Sequence, residues 1–205
     1  EKFTIEMGQK KKRFNPLNMK LEDPQPELWF KTFESELLCS ISSFTQPSPE
    51  AADLLTEEIL YWTSAVEPER IIEYGSGIGQ YSLPLLKLGM HLDVYETDTF
   101  AVDYLKLNTA KYNTKLTIND FSQVTKTNQK TIALVNPPRS GLQKFTQNLI
   151  DSNASHIIYI SCFPESLALD LERLSDHYQL QDVVMVDQFP RTHHYESAVL
   201  LQRVK

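Results

Sequence analysis

The sequence predicts a doubly wound α/β domain built on a seven-stranded, mostly parallel sheet with an antiparallel last strand, preceded by a small β-rich extension. Three observations carry this prediction. Strand-like segments recur at regular spacing from Arg70 onward, most of them separated by helical patterns. The connection between the last two, Asp187 to His194, is too short for a helical crossover, so these two favour an antiparallel pair at the end of the sheet. Polar or reactive residues follow five successive apolar strands, at the edge where open α/β sheets bind ligands.

Element by element, the chain opens with Lys2, Lys10, Lys11, Lys12, Arg13 and Lys20 against Glu1 and Glu6. That is a net +4, which leaves −11 on the remainder of a chain whose total is −7. Phe3, Ile5 and Met7 alternate with polar residues as a strand does. After a linker around Pro24 and Pro26, the stretch from Trp29 to Phe44 is again strand-like, broken by polar positions. These segments make an extension over residues 1–43, and the α/β domain is expected over 44–205. Ser48 and Pro49 read as helix N-cap and first helical residue, with Leu54, Leu55, Ile59 and Trp62 on one face. Strands are then expected at 70–74, 91–96, 115–119, 131–135, 156–161, 180–186 and 195–204. Helices fit 80–88 (stopped by Gly89), 98–112, 142–151 and 164–177. Only the link between Asn119 and Thr131 lacks a helical pattern. Parallel strands joined by helices imply right-handed crossovers.

Composition narrows the class. A chain of 205 residues, 41% hydrophobic and 10% aromatic, buries a substantial core and is neither disordered nor collagen-like. Its two cysteines, Cys39 and Cys162, exclude a disulfide framework and a four-thiolate metal site. No apolar run is long enough to span a bilayer, and nothing resembles a signal peptide. The expectation is a soluble, cytoplasmic protein of a reducing compartment. The chain begins at Glu1 without a methionine, which leaves a longer parent protein open.

The strand ends carry the candidate chemistry. The first runs into Glu73-Tyr74-Gly75-Ser76-Gly77-Ile78-Gly79, where Gly75, Gly77 and Gly79 allow a tight turn and close approach of a ligand to backbone N–H groups. The alternative is an ordinary glycine-rich turn. Glu96, about 20 residues on at the next strand's end, is placed to accept hydrogen bonds from ribose hydroxyls. Together they point to an adenosine-type ligand. The glycines are not spaced as in the dinucleotide fingerprint. The pattern E-x-G-x-G-x-G resembles instead the S-adenosylmethionine loop of Rossmann-like methyltransferases, a class in which Asp120 fits the contact to the adenine amino group. Cys162 follows an apolar strand and precedes a helix N-terminus, a setting that favours the thiolate and makes it a candidate nucleophile. A buried structural thiol is the alternative there, and it is the reading for Cys39. His193 and His194 lack further partners at metal-ligand spacing, so no metal is expected. Glu196, at the start of an apolar strand, is a candidate base, or else a plain strand-end carboxylate.

Several segments together resemble the methyltransferase domain of the RNA uracil-5-methyltransferases, which form 5-methyluridine in tRNA and ribosomal RNA. They are Phe44-Thr45-Gln46, residues 73–79, Glu96, Asn136-Pro137-Pro138-Arg139-Ser140-Gly141-Leu142, Ile160-Ser161-Cys162-Phe163-Pro164 and the run from Asp187 to Glu196. They lie in the family's order, and the Ser-Cys-x-Pro and D-x-F-P-x-T-x-H-x-E segments are far more specific than the glycine loop. The resemblance implies a Rossmann-like class I methyltransferase fold and S-adenosylmethionine as cofactor. It also implies RNA as partner, Cys162 as nucleophile on carbon 6 of the base, and Glu196 as the group removing the carbon-5 proton. Gln46, Glu73, the three glycines, Glu96, Asp120 and Asn136 match positions around the cofactor and the reacting base. A monomer is expected. Two positions depart from the family: Asn136 stands where it has Asp, and Ser48 where it has Asn. Asn136 keeps RNA cytosine-5-methylation open as an alternative, because an amide both donates and accepts. A non-catalytic RNA- or cofactor-binding relative is the third reading, though such a protein needs neither Cys162 nor Glu196. The family's amino-terminal RNA-binding barrel has no counterpart here, which leaves the basic run Lys10 to Arg13 as a candidate RNA contact.

Overall fold

A computed structural model describes residues 6–7, 10–11, 13–15, 18–22, 28–40, 43–119, 127, 130–192 and 194–204. Phe3, Ile5, Lys12, Pro24, Pro26, Asp120 and His193 lie outside them.

The sheet forms as the alternating apolar pattern requires. Its strands are β1 (Arg70–Tyr74), β2 (Leu92–Tyr95), β3 (Leu116–Asn119), β4 (Thr131–Val135), β5 (His156–Ser161), β6 (Tyr178–Val186) and β7 (Glu196–Arg203). Their order is β6-β7-β5-β4-β1-β2-β3. The five strands from β5 to β3 in that order are parallel, and β7 runs antiparallel between β5 and β6. The switch point lies where β4 meets β1, because the chain leaves β1 toward β2 on one side and returns through β4 on the other. That is where an open α/β sheet opens a crevice at its carboxyl edge.

Period-2 alternation distributes the core over two faces. Ile71, Leu134, Ile158, Ala198 and Leu200 pack with Ala51, Leu55, Ile59, Trp62, Leu85 and Leu105 of the helices on one side. Ile72, Ala133, Val135, Tyr159 and Val199 pack with Leu149, Leu167 and Leu174 on the other. The first group of helices is α1 (Pro49–Val66), α2 (Ser82–Lys87) and α3 (Thr99–Asn108), and the second is α4 (Phe145–Ser152) and α5 (Pro164–Leu174). Helix α1 starts as expected: Ser48 Oγ accepts the Ala51 N–H at 3.1 Å and Pro49 takes the first position. Glu67 ends it in a left-handed conformation. Helix α3 is capped by Asp98, which accepts from Phe100 and Ala101. It stops at Asn108, with a 3-10 segment, Ala110–Lys115, completing the region expected as one helix. No described helix is long and apolar enough to cross a membrane.

The strand-like stretch from Trp29 resolves into a hairpin, Leu28–Thr32 with Ser35–Cys39. Its two-residue turn, Phe33-Glu34, has φ of 38° and 55°, the left-handed pair that matches strand twist. The hairpin packs on the body. Leu37 and Cys39 join Ile78 and Leu83 in a small core, and burial raises the Cys39 thiol pKa. Asn108 binds both the N–H and the C=O of Leu38 and donates to Ile78 O at 2.8 Å, linking the hairpin to the loop after β1. The basic residues Lys10 and Lys11 pair with Glu6–Met7, and Arg13–Asn15 with Lys20–Glu22, as two-stranded ribbons.

Candidate active site

The loop after β1 is held by its glycines and by Glu96. Gly75, Gly77 and Gly79 all have positive φ. At Gly79, where φ is 95°, a Cβ would lie 2.8 Å from Leu105 Cδ1, so a side chain there would be strained and would force Leu105 to move. Glu96 Oε2 accepts from the Gly77 N–H at 2.8 Å, and its Oε1 accepts from the Thr97 and Asp98 N–H groups at 2.7 and 2.8 Å. One carboxylate thereby ties the β1 loop to the β2 loop. Glu73 points to the helix face of β1, is 2% exposed, and accepts a short hydrogen bond from Ser82 at the start of α2. Burial pushes its pKa up to about 8, with a smaller contribution from the nearby charge of Glu96. It is therefore mostly protonated at neutral pH.

Between these loops and β4 lies a cleft of about 380 Å³, lined by Tyr74, Gly75, Glu96, Thr97, Asn136, Pro137, Pro138 and Phe145 among others. Tyr74 stacks on Tyr95 at 4.9 Å and meets Phe145 edge-on at 4.8 Å, which gives the cleft an aromatic floor. The β4 loop is pinned from below. Asp170 of α5, 1% exposed, accepts from the Leu142 N–H at 2.7 Å and from the Tyr159 hydroxyl at 2.8 Å.

A second cluster sits at the β5–β7 end. Ser161 and Ser197 are the register partners that close the antiparallel pair, with Cys162 one residue beyond Ser161 and Glu196 one residue before Ser197. Cys162 is half-buried and free, two residues before α5. Ser161 Oγ accepts the Phe163 N–H and donates to Phe163 O, both at 3.1 Å, which fixes the turn that carries the thiol. Glu196 is 5% exposed and shares its sheet face with Ala198 and Leu200. Its Oε1 accepts from Gln188 Nε2 at 2.9 Å. Burial raises its pKa to about 7, while the Gln188 hydrogen bond and the Arg139 guanidinium pull the other way. Such a group exchanges protons near neutrality, as a base must.

Gln46, 3% exposed, reaches this cluster: it donates to the Tyr81 hydroxyl at 3.4 Å and accepts from Gln188 at 3.2 Å. The structure thus brings together two groups of the expected residues. Gly75, Glu96 and Asn136 line the β1–β2–β4 crevice, with Gly77 held by Glu96 and Glu73 buried against α2, while Gln46 and Glu196 share one network through Gln188 and Cys162 stands at the neighbouring end of β5. Gln188, Tyr81, Arg139 and Asp170 were not singled out from sequence. Gln188 and Arg139 lie inside the quoted motifs, the only signal available for them. Asp120 lies outside the described residues.

Five buried polar atoms at this edge have no hydrogen-bond partner among the described residues: Ser76 Oγ, Gln80 Nε2, Asn119 Nδ2, Gln188 Oε1 and Glu196 Oε2. Buried polar groups are normally paired. Their concentration where β1, β3, β6 and β7 meet the carboxyl edge fits a site that receives a polar ligand.

Comparison with known proteins agrees with this geometry. The model of the tRNA (uracil-5-)-methyltransferase family matches residues 120–204. An uncharacterized RNA methyltransferase of Bdellovibrio bacteriovorus is 34% identical over 98% of this chain and 58% of its own length. A 23S rRNA (uracil(1939)-C(5))-methyltransferase of Shewanella halifaxensis is 30% identical over 87% of this chain and 42% of its own. The chain therefore spans about half the length of the curated relatives it matches. Among solved structures, a Pyrococcus abyssi tRNA (uracil-54, C5)-methyltransferase in complex with S-adenosyl-L-homocysteine superposes with a TM-score of 0.75 at 26% identity, covering 89% of this chain and 45% of that one. In its sheet topology and in the motifs at its carboxyl edge, the chain is similar to the RNA uracil-5-methyltransferases.

Proposed function

We propose that this chain is the catalytic part of an S-adenosylmethionine-dependent methyltransferase that forms 5-methyluridine in tRNA or ribosomal RNA. The observation that carries this reading is the convergence of two strand ends: Cys162 directly follows β5 and Glu196 opens β7, their neighbours Ser161 and Ser197 being register partners, and Glu196 is joined to Gln46 through Gln188. The residues at the β1–β2–β4 crevice fit the cofactor. The amide-rich glycine loop and Glu96 suit an adenosine ribose, the aromatic floor suits a flat ring, and Ser76 and Gln80 offer unpaired buried groups. Bound there, S-adenosylmethionine supplies an electrophilic methyl group.

Carbon 5 of uracil is a poor nucleophile. In the proposed sequence the Cys162 thiolate adds to carbon 6, and the electron pair of the 5,6 double bond shifts into an enolate. Carbon 5 then takes the methyl group, and the methyl's bond to sulfur breaks. Glu196 removes the carbon-5 proton, the double bond reforms, and the thiolate leaves carbon 6. The target nucleotide must leave its stack to reach the thiol. Glu196 is suited to its step, because a carboxyl with a pKa of about 7 holds and releases a proton at neutral pH.

Incubation with labelled S-adenosylmethionine and unmodified tRNA and 23S rRNA transcripts, followed by nucleoside mass spectrometry, tests the reading. 5-Methyluridine is the expected product, and its absence from every transcript contradicts it. Asn136 lines the cleft and can donate to the ring nitrogen that cytosine presents as an acceptor. 5-Methylcytidine in the same digest would favour that second reading.

A further inference from the structure

The network around Glu196 contains a residue to which the mechanism above gives no role. Gln188 follows β6 in the short connection to β7, and its N–H is held by Val186 O at 3.1 Å. Its side-chain NH₂ has two hydrogens. One goes to Glu196 Oε1 at 2.9 Å and the other to Gln46 Oε1 at 3.2 Å. Gln46 is oriented in turn by its own NH₂ on the Tyr81 hydroxyl. Both of Gln188's contacts are acceptors, so its amide can face only one way. Its Oε1 and the far oxygen of Glu196, Oε2, remain as buried acceptors with no partner among the described residues.

We propose that Gln188 is a positioning residue that locks Glu196 and Gln46 to one another, turning Glu196 Oε2 toward the reacting base and coupling the base to the methyl-donor side. This rests on the reading of Glu196 as the base. The geometry supplies the reason for a glutamine. A shorter amide does not span both acceptors, a carboxylate brings no donor hydrogens, and an apolar side chain leaves Glu196 Oε1 and Gln46 Oε1 buried without donors. With the amide in place, the rotation of Glu196 is fixed at one oxygen and its other oxygen is free for the substrate.

The test uses the full chain and the variants Gln188→Met and Gln188→Glu, both of similar size to glutamine. Met removes both hydrogen bonds, and Glu keeps the shape while exchanging the donor for an acceptor. Each is mixed with S-adenosylmethionine and the unmodified tRNA and 23S rRNA transcripts, and the covalent protein–RNA adduct is measured on a denaturing gel. S-adenosylhomocysteine affinity is measured in parallel by calorimetry. If Gln188 positions the base, attack and methylation continue while proton removal slows. The methylated adduct should then rise several-fold above wild type, and S-adenosylhomocysteine affinity should fall about 3- to 10-fold through the loosened Gln46. A merely structural defect lowers adduct and activity together. Wild-type adduct and affinity in both variants, or adduct falling with activity, would overturn the proposal. Glu196→Gln run alongside separates the two levels. If it accumulates no adduct, the assignment of the base fails and takes this proposal with it. If it accumulates adduct and neither Gln188 variant does, only the role of Gln188 fails.

Discussion

On the β1–β2 side of the carboxyl edge, the carboxylate of Glu96 is held at a half-open rim by three backbone N–H groups. On the β5–β7 side, the carboxyl of Glu196 is buried, with one side-chain amide on one oxygen and no partner among the described residues on the other. The first arrangement satisfies a negative charge with fixed dipoles and suits an acceptor whose task is to bind. The second withholds solvation, raises the pKa to about 7 and leaves an oxygen free, as suits a group that must take up a proton and give it back. In the proposed function, one sheet edge thus separates recognition from chemistry by how it satisfies two carboxyl groups.

Removing the thiol breaks the chemical side alone. Cys162→Ala is expected to reduce methyl transfer to background and leave S-adenosylhomocysteine affinity within about twofold, by radiolabel transfer and calorimetry. A variant with retained transfer would place the nucleophile elsewhere. Breaking the recognition side gives the next largest effect. Glu96→Ala is expected to weaken cofactor binding by about 1.5–3 kcal/mol, the usual value of hydrogen bonds to a charged acceptor. Unchanged titration isotherms would remove Glu96 from the site.

Glu73 sharpens the contrast, because it is a carboxyl in the recognition half buried without a charge partner. Its folded pKa of about 8 lies above the ordinary glutamate value of 4.5, so the folded state holds the proton more tightly than the unfolded chain. Its contribution to stability is full below about 4.5 and is lost as pH rises through about 8. The slope is at most about 1.4 kcal/mol per pH unit. Glu73→Gln keeps an acceptor for Ser82 and should flatten this decline in denaturation measured from pH 5 to 8.5. A decline as steep as wild type would mean that Glu73 is not its source. Arg139 gives the smallest effect. Its guanidinium lowers the pKa of Glu196, and the base must be ionised to act. Activity should therefore rise with pH through about 7, and Arg139→Leu should move that rise to higher pH. An unmoved profile would show that another group sets it.

The parallel strands were legible from sequence because each is a short apolar run between turn signals, and β1, β4 and β5 fall at the expected boundaries. Helix starts were less so. Helix α4 begins at Phe145, three residues later than its apolar pattern suggests, because Asp170 captures the Leu142 N–H and holds that segment as a loop. The Phe33-Glu34 turn was hidden because it carries neither the glycine nor the asparagine that usually marks left-handed positions. In the site, residues at strand ends could be read in advance, since topology alone brings them together. The bond between Gln46 and Gln188 could not. It joins positions 142 residues apart, and no local pattern encodes such a contact.

The central claim is that Cys162 and Glu196 act in sequence on one base, and trapping tests it most directly. Glu196→Gln leaves the thiol and the cofactor side intact while disabling proton removal. Incubated with S-adenosylmethionine and a transcript that the wild type methylates, it should accumulate a methylated, covalent protein–RNA complex. That complex should survive denaturing electrophoresis and disappear when Cys162→Ala is added. A Glu196→Gln variant that turns over like wild type with no retained complex, or a complex that persists without Cys162, would contradict the account.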